Sequence, residues 1–318
     1  MTTATAPGKI ILFGEHAVVY GRPALAVPVT QVHADVEVHN SQQAGIWIDS
    51  PAIGLHARQL ISLSPDQPLR MAIEGVFRLF NITHFPSLQV NIQSSIPVAS
   101  GLGSGAAVSV AIIRAVAAHL GLALKDEQVN GLCYEIEKIH HGTPSGIDNT
   151  VITYARPVFF IKNKTLETFH VQTPFTLIIA DTGKTAPTRE SVGDVRKLWQ
   201  ADPVFWERIF DQVKDVVIQA RQAIEGGTWQ ALGPFMDANH SLLQQMTVSS
   251  DELDNLVCQA RKAGALGAKL SGGGRGGNMI ALVQPENAGT VTSALLAAGA
   301  KHTITTVIHP NQVSGLSQ

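Results

Sequence analysis

Charge is scarce in this sequence: Asp, Glu, Lys and Arg make up 15% of its 318 residues, against about 25% in an average globular protein. Neither sign dominates, since 23 Lys and Arg against 25 Asp and Glu leave a formal net charge of -2. The basic excess of a nucleic-acid binder is missing, so no nucleic-acid partner is expected. Anionic small molecules stay open, because a few backbone N–H groups can hold a phosphate without any net charge. Cysteine is almost absent. Cys133 and Cys258 lack metal-ligand spacing and are too few for a disulfide framework, so both read as buried free thiols. Nowhere do 18 apolar residues run unbroken, so no membrane span is expected. Residues 1–7 have neither the basic region nor the long apolar run of a secretion signal, and a cytoplasmic protein is the default. Apolar residues, by contrast, reach 45%, enough for a sizeable core and too many for intrinsic disorder. At about 150 residues per domain, the length suggests two domains.

Strands broken by turns are expected from 5 to 39, with 10–13 and 32–38 apolar or alternating and Gly14, Gly21 and Pro23 between them. A helix is expected over 71–79. Leu88, Val90 and Ile92 alternate with Gln89, Asn91 and Gln93, the pattern of a half-buried strand. It ends near Pro97 and leads through a glycine loop into an apolar helix over 106–120, stopped by Gly121. A second helix covers 127–139, and segments 158–161 and 165–171 flank Asn163-Lys164 as a hairpin. A strand over 175–180 opens the second half. The boundary is placed there, giving domains of 1–173 and 174–318. Helices follow over 205–224, 229–246 and 251–263, the last with Ser249 or Ser250 as cap and Gly264 as stop. Strand 268–271, a glycine run, strand 279–283, helix 288–298 and strand 302–309 complete an order that suggests an α+β sandwich of ferredoxin-like type. The tail from Asn311 reads as loosely held.

Four stretches carry candidate chemistry. In Pro97-Val98-Ala99-Ser100-Gly101-Leu102-Gly103-Ser104-Gly105-Ala106, glycines let the backbone approach a ligand. The helix that follows offers unpaired N–H groups and the positive end of its dipole, which together favour a phosphate. A plain strand-to-helix turn would read the same way. The loop is not a Walker A motif, because the closing Gly-Lys-Ser/Thr is absent. Nor is it a dinucleotide fingerprint, because the spacing is G-x-G-x-G rather than G-x-G-x-x-G. The run from Ser271 to Gly277 packs five glycines into six positions, too many for an ordinary hairpin, so a ligand or another backbone is expected to come close. Lys9 with Gly14-Glu15-His16, and Glu137 with the turn from Gly142 to Asp148, are ordinary when taken singly. A solvated lysine, a packed histidine and an Asx-turn aspartate would suffice. His140-His141 has no partner at zinc spacing, so zinc is not expected.

Their order and wording resemble the GHMP kinase superfamily. The stretches are residues 7–21 (PGKIILFGEHAVVYG), the Gly101 loop, Glu137 through Asp148, and Lys269-Leu270-Ser271-Gly272-Gly273-Gly274. Residues 14–21 are similar to the branch that acts on mevalonate, whereas galactokinases usually continue Gly-Glu-His-Thr-Asp-Tyr-Asn. The motifs run from Pro7 to about Val283. The resemblance implies a two-domain α+β fold, N-terminal S5-like and C-terminal ferredoxin-like, with ATP and substrate in the cleft between. It implies ATP-dependent phosphorylation of the 5-hydroxyl of (R)-mevalonate with Mg2+, ATP and mevalonate being the small-molecule partners. Asp148 would be the catalytic aspartate, with Lys9 beside it near the transferred phosphate and Glu137 as a magnesium ligand. Pro97, Ser100, Gly101, Leu102, Gly103, Ser104, Gly105 and Ala106 would form the ATP loop. Glu15, His16, Ser145, Thr188 and Gly273 would line the acceptor pocket. Family members are often dimeric, so a homodimer is compatible with the resemblance.

Two departures stand out. The family loop usually reads Gly-Leu-Gly-Ser-Ser-Ala-Ala, and its second serine reaches magnesium; here that position is Gly105. Either Ser104 supplies the hydroxyl, or a water replaces it, or the metal site is weaker. Arg275 fills a position that is often glycine and would contact ATP phosphates or point to solvent, and Asn278 stands where a small residue is common. Two other functions fit the motifs. One is another kinase of the superfamily, acting on phosphomevalonate or a sugar, with Lys184 and Arg189 as spare cations for a substrate phosphate. The other is a ligand sensor that kept the fold without the catalysis.

Overall fold

The computed structural model describes residues 1–97, 100–141, 144–185 and 187–310. The tail from Asn311 lies outside them, as do Gly142, Thr143 and the side chains of His140 and His141. The chain forms two compact units that interleave in sequence: Met1–Lys9, Pro28–Val98 and Leu102–Ala155 make the first, and Ile10–Val27, Ala99–Gly101 and Arg156–Gln318 the second. Two long strands, β1 (Thr2–Phe13) and β2 (Ala24–Asn40), each begin in one unit and end in the other. The division therefore does not follow a single cut at 173: the chain enters the second unit for the last time at Arg156.

The first unit continues with β3 (Ile46–Ser50), β4 (Leu55–Gln59), α1 (Pro68–Leu79), β5 (Leu88–Ser94), α2 (Ser104–His119), α3 (Asp126–His141) and α4 (Ile147–Tyr154). β5 runs antiparallel to β2, with Ile92 opposite Val36, and parallel to β3, with Gln89 opposite Trp47. Its alternation turns Leu88, Val90 and Ile92 inward, as read from the sequence. α1 buries Leu69, Ala72, Ile73, Val76 and Phe77, one apolar stripe at helical spacing. α2 is buried almost all round, from Ala106 to Ala117, and α1, α3 and α4 pack against it. Cys133 lies in this core with Sγ 3.7 Å from Ala106 O.

The second unit adds β6 (Val158–Phe160), β7 (Glu167–Thr168), β8 (Phe175–Asp181), α5 (Thr188–Ala201), α6 (Pro203–Glu225), α7 (Leu232–Gln245), α8 (Asp251–Lys262), β9 (Gly267–Ser271), β10 (Asn278–Val283), α9 (Ala288–Ala297) and β11 (His302–Ile308). β6 and β7 form the hairpin expected around Asn163, with shorter strands, Val158 pairing Thr168. The four-stranded sheet has the order β11-β8-β10-β9, antiparallel throughout, which is the ferredoxin-like arrangement. α7, α8 and α9 pack on it. The Ser250 hydroxyl accepts the Leu253 N–H to cap α8, and Gly264 follows it in a left-handed conformation, as expected. Cys258 differs from its reading: α8 buries Leu253, Leu256, Val257 and Ala260, and Cys258 falls on the exposed side of that stripe. Among the described residues no helix is long and apolar enough to cross a membrane.

A neutral histidine ties α7, α8 and β9 together. His240, 3% exposed, accepts the Leu270 N–H on Nδ1 at 3.3 Å, so its Nε2 carries the proton that faces Asp254 Oδ1 at 3.1 Å. Burial, outweighing that carboxylate and aided by the charges of Lys269 and Arg261, lowers its pKa to about 4. The unfolded imidazole takes up its proton near pH 6.5. His240 therefore adds stability above that pH and loses it as the pH falls towards 4. An NMR titration of this imidazole is expected to show a midpoint near 4; a midpoint at or above the free value contradicts the buried neutral form.

Candidate active site

In the first unit a buried lysine organises the surroundings. Lys9 is 4% exposed; its N–H donates to Leu102 O at 2.9 Å and its Nζ lies 2.8 Å from Asp148 Oδ1. Asp148 does not sit in a turn but in the first turn of α4, directly after Gly146 in a left-handed conformation. The positive end of the helix dipole favours a carboxylate there. Ser145 supports this start, its hydroxyl accepting the Ile147 N–H at 3.3 Å. Glu137, on α3, is 8% exposed. Burial first, then the negative charge of Asp148, push its pKa up to about 7, with Lys9 pulling the other way. Glu137 thus feels both Asp148 and Lys9, and a further cation beside it would favour its charged form. Among the described residues no cluster of three or more His, Cys, Asp or Glu could cage a metal ion. A divalent cation at Glu137 would complete its shell from ligand oxygens, as magnesium commonly does.

The start of α2 is drawn against this group by Gly103. Its φ is 76°, and a Cβ there would stand 2.6 Å from Ile152 Cδ1 and 3.1 Å from Lys9 Cγ. Only glycine brings the first N–H groups of α2 so near Lys9, and such helix starts bind anions. Gly105 is a different case. It lies within the helix, and a Cβ there would be 3.7 Å from Glu137 Oε1, an ordinary contact. A serine would fit at this position. Leu102 and Ala106 are buried in the same unit, with Pro97 and Ser104 partly exposed. Ser100 and Gly101 belong to the second unit, where Asn278 Nδ2 donates to Ser100 O.

The second unit holds its own buried charges. Glu15 and Lys269, 1% and 0% exposed, form an ion pair, and Lys269 Nζ also donates to Leu270 O at 2.7 Å. Glu15 Oε2 has no hydrogen-bond partner, so one oxygen of a buried carboxylate is left to accept a bond. Burial lowers the pKa of Lys269, with Glu15 acting against it. His16 Nε2 lies 3.1 Å from Gly273 O. A carbonyl only accepts, so Nε2 carries the proton and Nδ1 remains an acceptor. Burial holds this imidazole neutral, its pKa lowered to about 4. Gly273 in turn lies against Thr188, the first residue of α5: a Cβ on the glycine would meet Thr188 Oγ1 at 2.7 Å.

Arg275 has partners that the sequence did not suggest. Its Nη1 lies 2.6 Å from Asp194 Oδ2 and its Nε donates to Thr247 O at 3.2 Å. Lys269 stands in one of the family-like motifs with no role expected of it. The available signal was a lysine between Ala268 and Leu270 in an otherwise apolar strand, which calls for a buried counter-charge.

Comparison with known proteins shows the family. The family model described as GHMP kinases N terminal domain matches residues 69–156, and that described as GHMP kinases C terminal matches residues 220–301. A mevalonate kinase of Pyrococcus furiosus is 35% identical over 96% of this chain and 95% of its own length. The crystal structure of L. major mevalonate kinase in complex with R-mevalonate superposes with a TM-score of 0.84 at 32% identity, covering 98% of this chain and 96% of that one. That of the Methanococcus jannaschii mevalonate kinase gives 0.84 at 26% identity over 96% and 98%. The chain belongs to the GHMP kinases and, within them, to the mevalonate kinase family.

Removing one partner of a buried ion pair strands the other charge. Lys269→Met is therefore expected to cost about 3–5 kcal/mol of unfolding free energy, read by urea denaturation. A loss below about 1 kcal/mol would show that Glu15 does not depend on Lys269 for its charge balance.

Proposed function

We propose that this chain transfers the γ-phosphoryl group of ATP to the 5-hydroxyl of (R)-mevalonate, releasing ADP and 5-phosphomevalonate. The observation that carries the reading is the Lys9–Asp148 pair at 2.8 Å, beside Glu137, in a chain related over nearly its whole length to mevalonate kinases. Phosphoryl transfer asks a protein mainly to position groups and to balance spread negative charge. We assign Asp148 the proton of the 5-hydroxyl as that oxygen bonds to the γ-phosphorus and the bond to the β-phosphate bridge oxygen breaks. Lys9 balances Asp148 and offers positive charge to the moving phosphoryl group. The ATP loop runs from Pro97 to Ala106, where Gly101, Gly103 and the first N–H groups of α2 receive phosphate oxygens. Glu137 and Ser104 would hold Mg2+, which neutralises charge on the β- and γ-phosphates when bound. A cation there would favour the charged form of Glu137, whose pKa burial and Asp148 raise. We assign Glu15, His16, Ser145, Thr188 and Gly273 to the acceptor. The open Oε2 of Glu15 and the free Nδ1 of His16 give it two acceptors for hydroxyl protons. As functional segments, distinct from the two interleaved units of the fold, we assign 1–173, with the ATP loop and Asp148, and 174–318, with the second glycine run.

The reading is tested by ADP release with magnesium-ATP, offering mevalonate, phosphomevalonate, homoserine and galactose in parallel. Turnover with mevalonate alone is expected. Turnover with another acceptor overturns the substrate, and ATP binding without any ADP release points to a sensor. Asp148→Asn is expected to lower kcat about 100- to 10,000-fold while ATP affinity holds, because a positioned base acts in the transition state. Unchanged kcat removes Asp148 from the chemistry. Gly105→Ser, which the space beside Glu137 admits, is expected to lower the magnesium concentration for half-maximal rate. An unchanged titration would show that Ser104 or water already serves.

A further inference from the structure

Arg275 interrupts a run that is otherwise glycine from Gly272 to Gly277. It does so at φ 59°, in the left-handed region that a residue with a Cβ avoids. A glycine would occupy that backbone without strain, so the side chain must bring something in return. Three bonds hold the arginine. Its N–H donates to Val248 O at 2.7 Å, its Nε donates to Thr247 O at 3.2 Å, and its Nη1 reaches Asp194 Oδ2 at 2.6 Å. Asp194 lies on α5, and its other oxygen takes Lys197 Nζ at 2.8 Å. The hydrogen bond from Lys197, then that from Arg275, lower the pKa of Asp194 to about 2.

α5 is weakly anchored along its length. Only Ser191 and Val195 are buried. Its far end is held by Trp199, whose Nε1 donates to Glu207 Oε1 at 2.9 Å and whose ring contacts Tyr20. Its near end carries Thr188, packed on Gly273, and the Gly273 carbonyl faces His16. Between these ends the Arg275–Asp194 pair ties the helix to the glycine run. We propose that this pair is a latch: it holds the first turns of α5 on the run so that Thr188 stays against Gly273, which makes Arg275 a positioning residue for the acceptor. The kinetic part of the inference rests on the mevalonate reading; the mechanical part does not.

The test is amide hydrogen exchange on the ligand-free full chain, comparing wild type with Arg275→Ala, Asp194→Ala, their double variant and Lys197→Ala. Exchange over residues 188–194 is expected to rise about two- to fivefold in each of the first two, in line with a partly exposed ion pair, and no further in the double. Lys197→Ala and the segment around Trp199 are expected to stay at wild-type rates. Arg275→Gly, which relaxes the backbone strain, is expected to lose the same protection with no fall in Tm, so the loss cannot be put down to misfolding. Unchanged exchange in either single variant, or additive effects in the double, overturns the latch. With mevalonate as acceptor, KM is expected to rise about two- to fivefold while kcat and the KM for ATP hold. Faster exchange with an unchanged mevalonate KM would make the pair a structural tie and overturn the positioning role. Should mevalonate not be phosphorylated at all, the exchange data still decide the latch.

Discussion

A lysine that is 4% exposed must be compensated, and the first unit is arranged around the way Lys9 meets that demand. Its ammonium faces Asp148, which α4 holds in its first turn after the left-handed Gly146. Gly103 lets α2 start against the lysine stem. Glu137 lies close by on α3, and its raised pKa follows from burial and from the neighbouring carboxylate. A hydrophobic trio of similar volume would stabilise such an interior at least as well. Two acids and one base kept together there are more naturally explained by what they do to a ligand than by folding.

The second unit repeats the theme with different partners. Glu15 and Lys269 neutralise each other out of solvent, yet Glu15 keeps one oxygen unbonded. His16 is held neutral with one nitrogen committed to Gly273 and the other left as an acceptor. β1 carries Lys9 and leads into Glu15 and His16, so one short stretch of chain feeds charged groups into both units.

Much of the architecture was legible because it rests on local periodicity. The alternation of β5, the apolar α2, the Ser250 cap and the order of strands and helices after residue 203 each carry their own signal. The elements that escaped were those whose signal is weak. β3 and β4 are five residues each, α5 buries only Ser191 and Val195, and α4 begins inside a Gly/Pro/Ser-rich stretch that reads as a turn. The site was legible as residue types through family resemblance, and one pairing, Lys9 beside Asp148, came with it. The contacts of Glu15 with Lys269 and Arg275 with Asp194 join distant segments, and no local pattern specifies them. Arg275 shows the gap most plainly, since it is tied to a helix unseen in the sequence.

The most direct measurement is the position of the phosphate in the product. The protein, magnesium-ATP and (R)-mevalonate would be incubated together and the product followed by phosphorus NMR with proton coupling retained. The hydroxyl at C5 is primary and that at C3 is tertiary, so only a C5 ester couples its phosphorus to two methylene protons on the carbon bearing the oxygen. A single new phosphomonoester resonance split into a triplet, growing with ADP, is the expected result. A singlet ester, or inorganic phosphate as the sole product, would contradict transfer to the 5-hydroxyl under the guidance of Asp148.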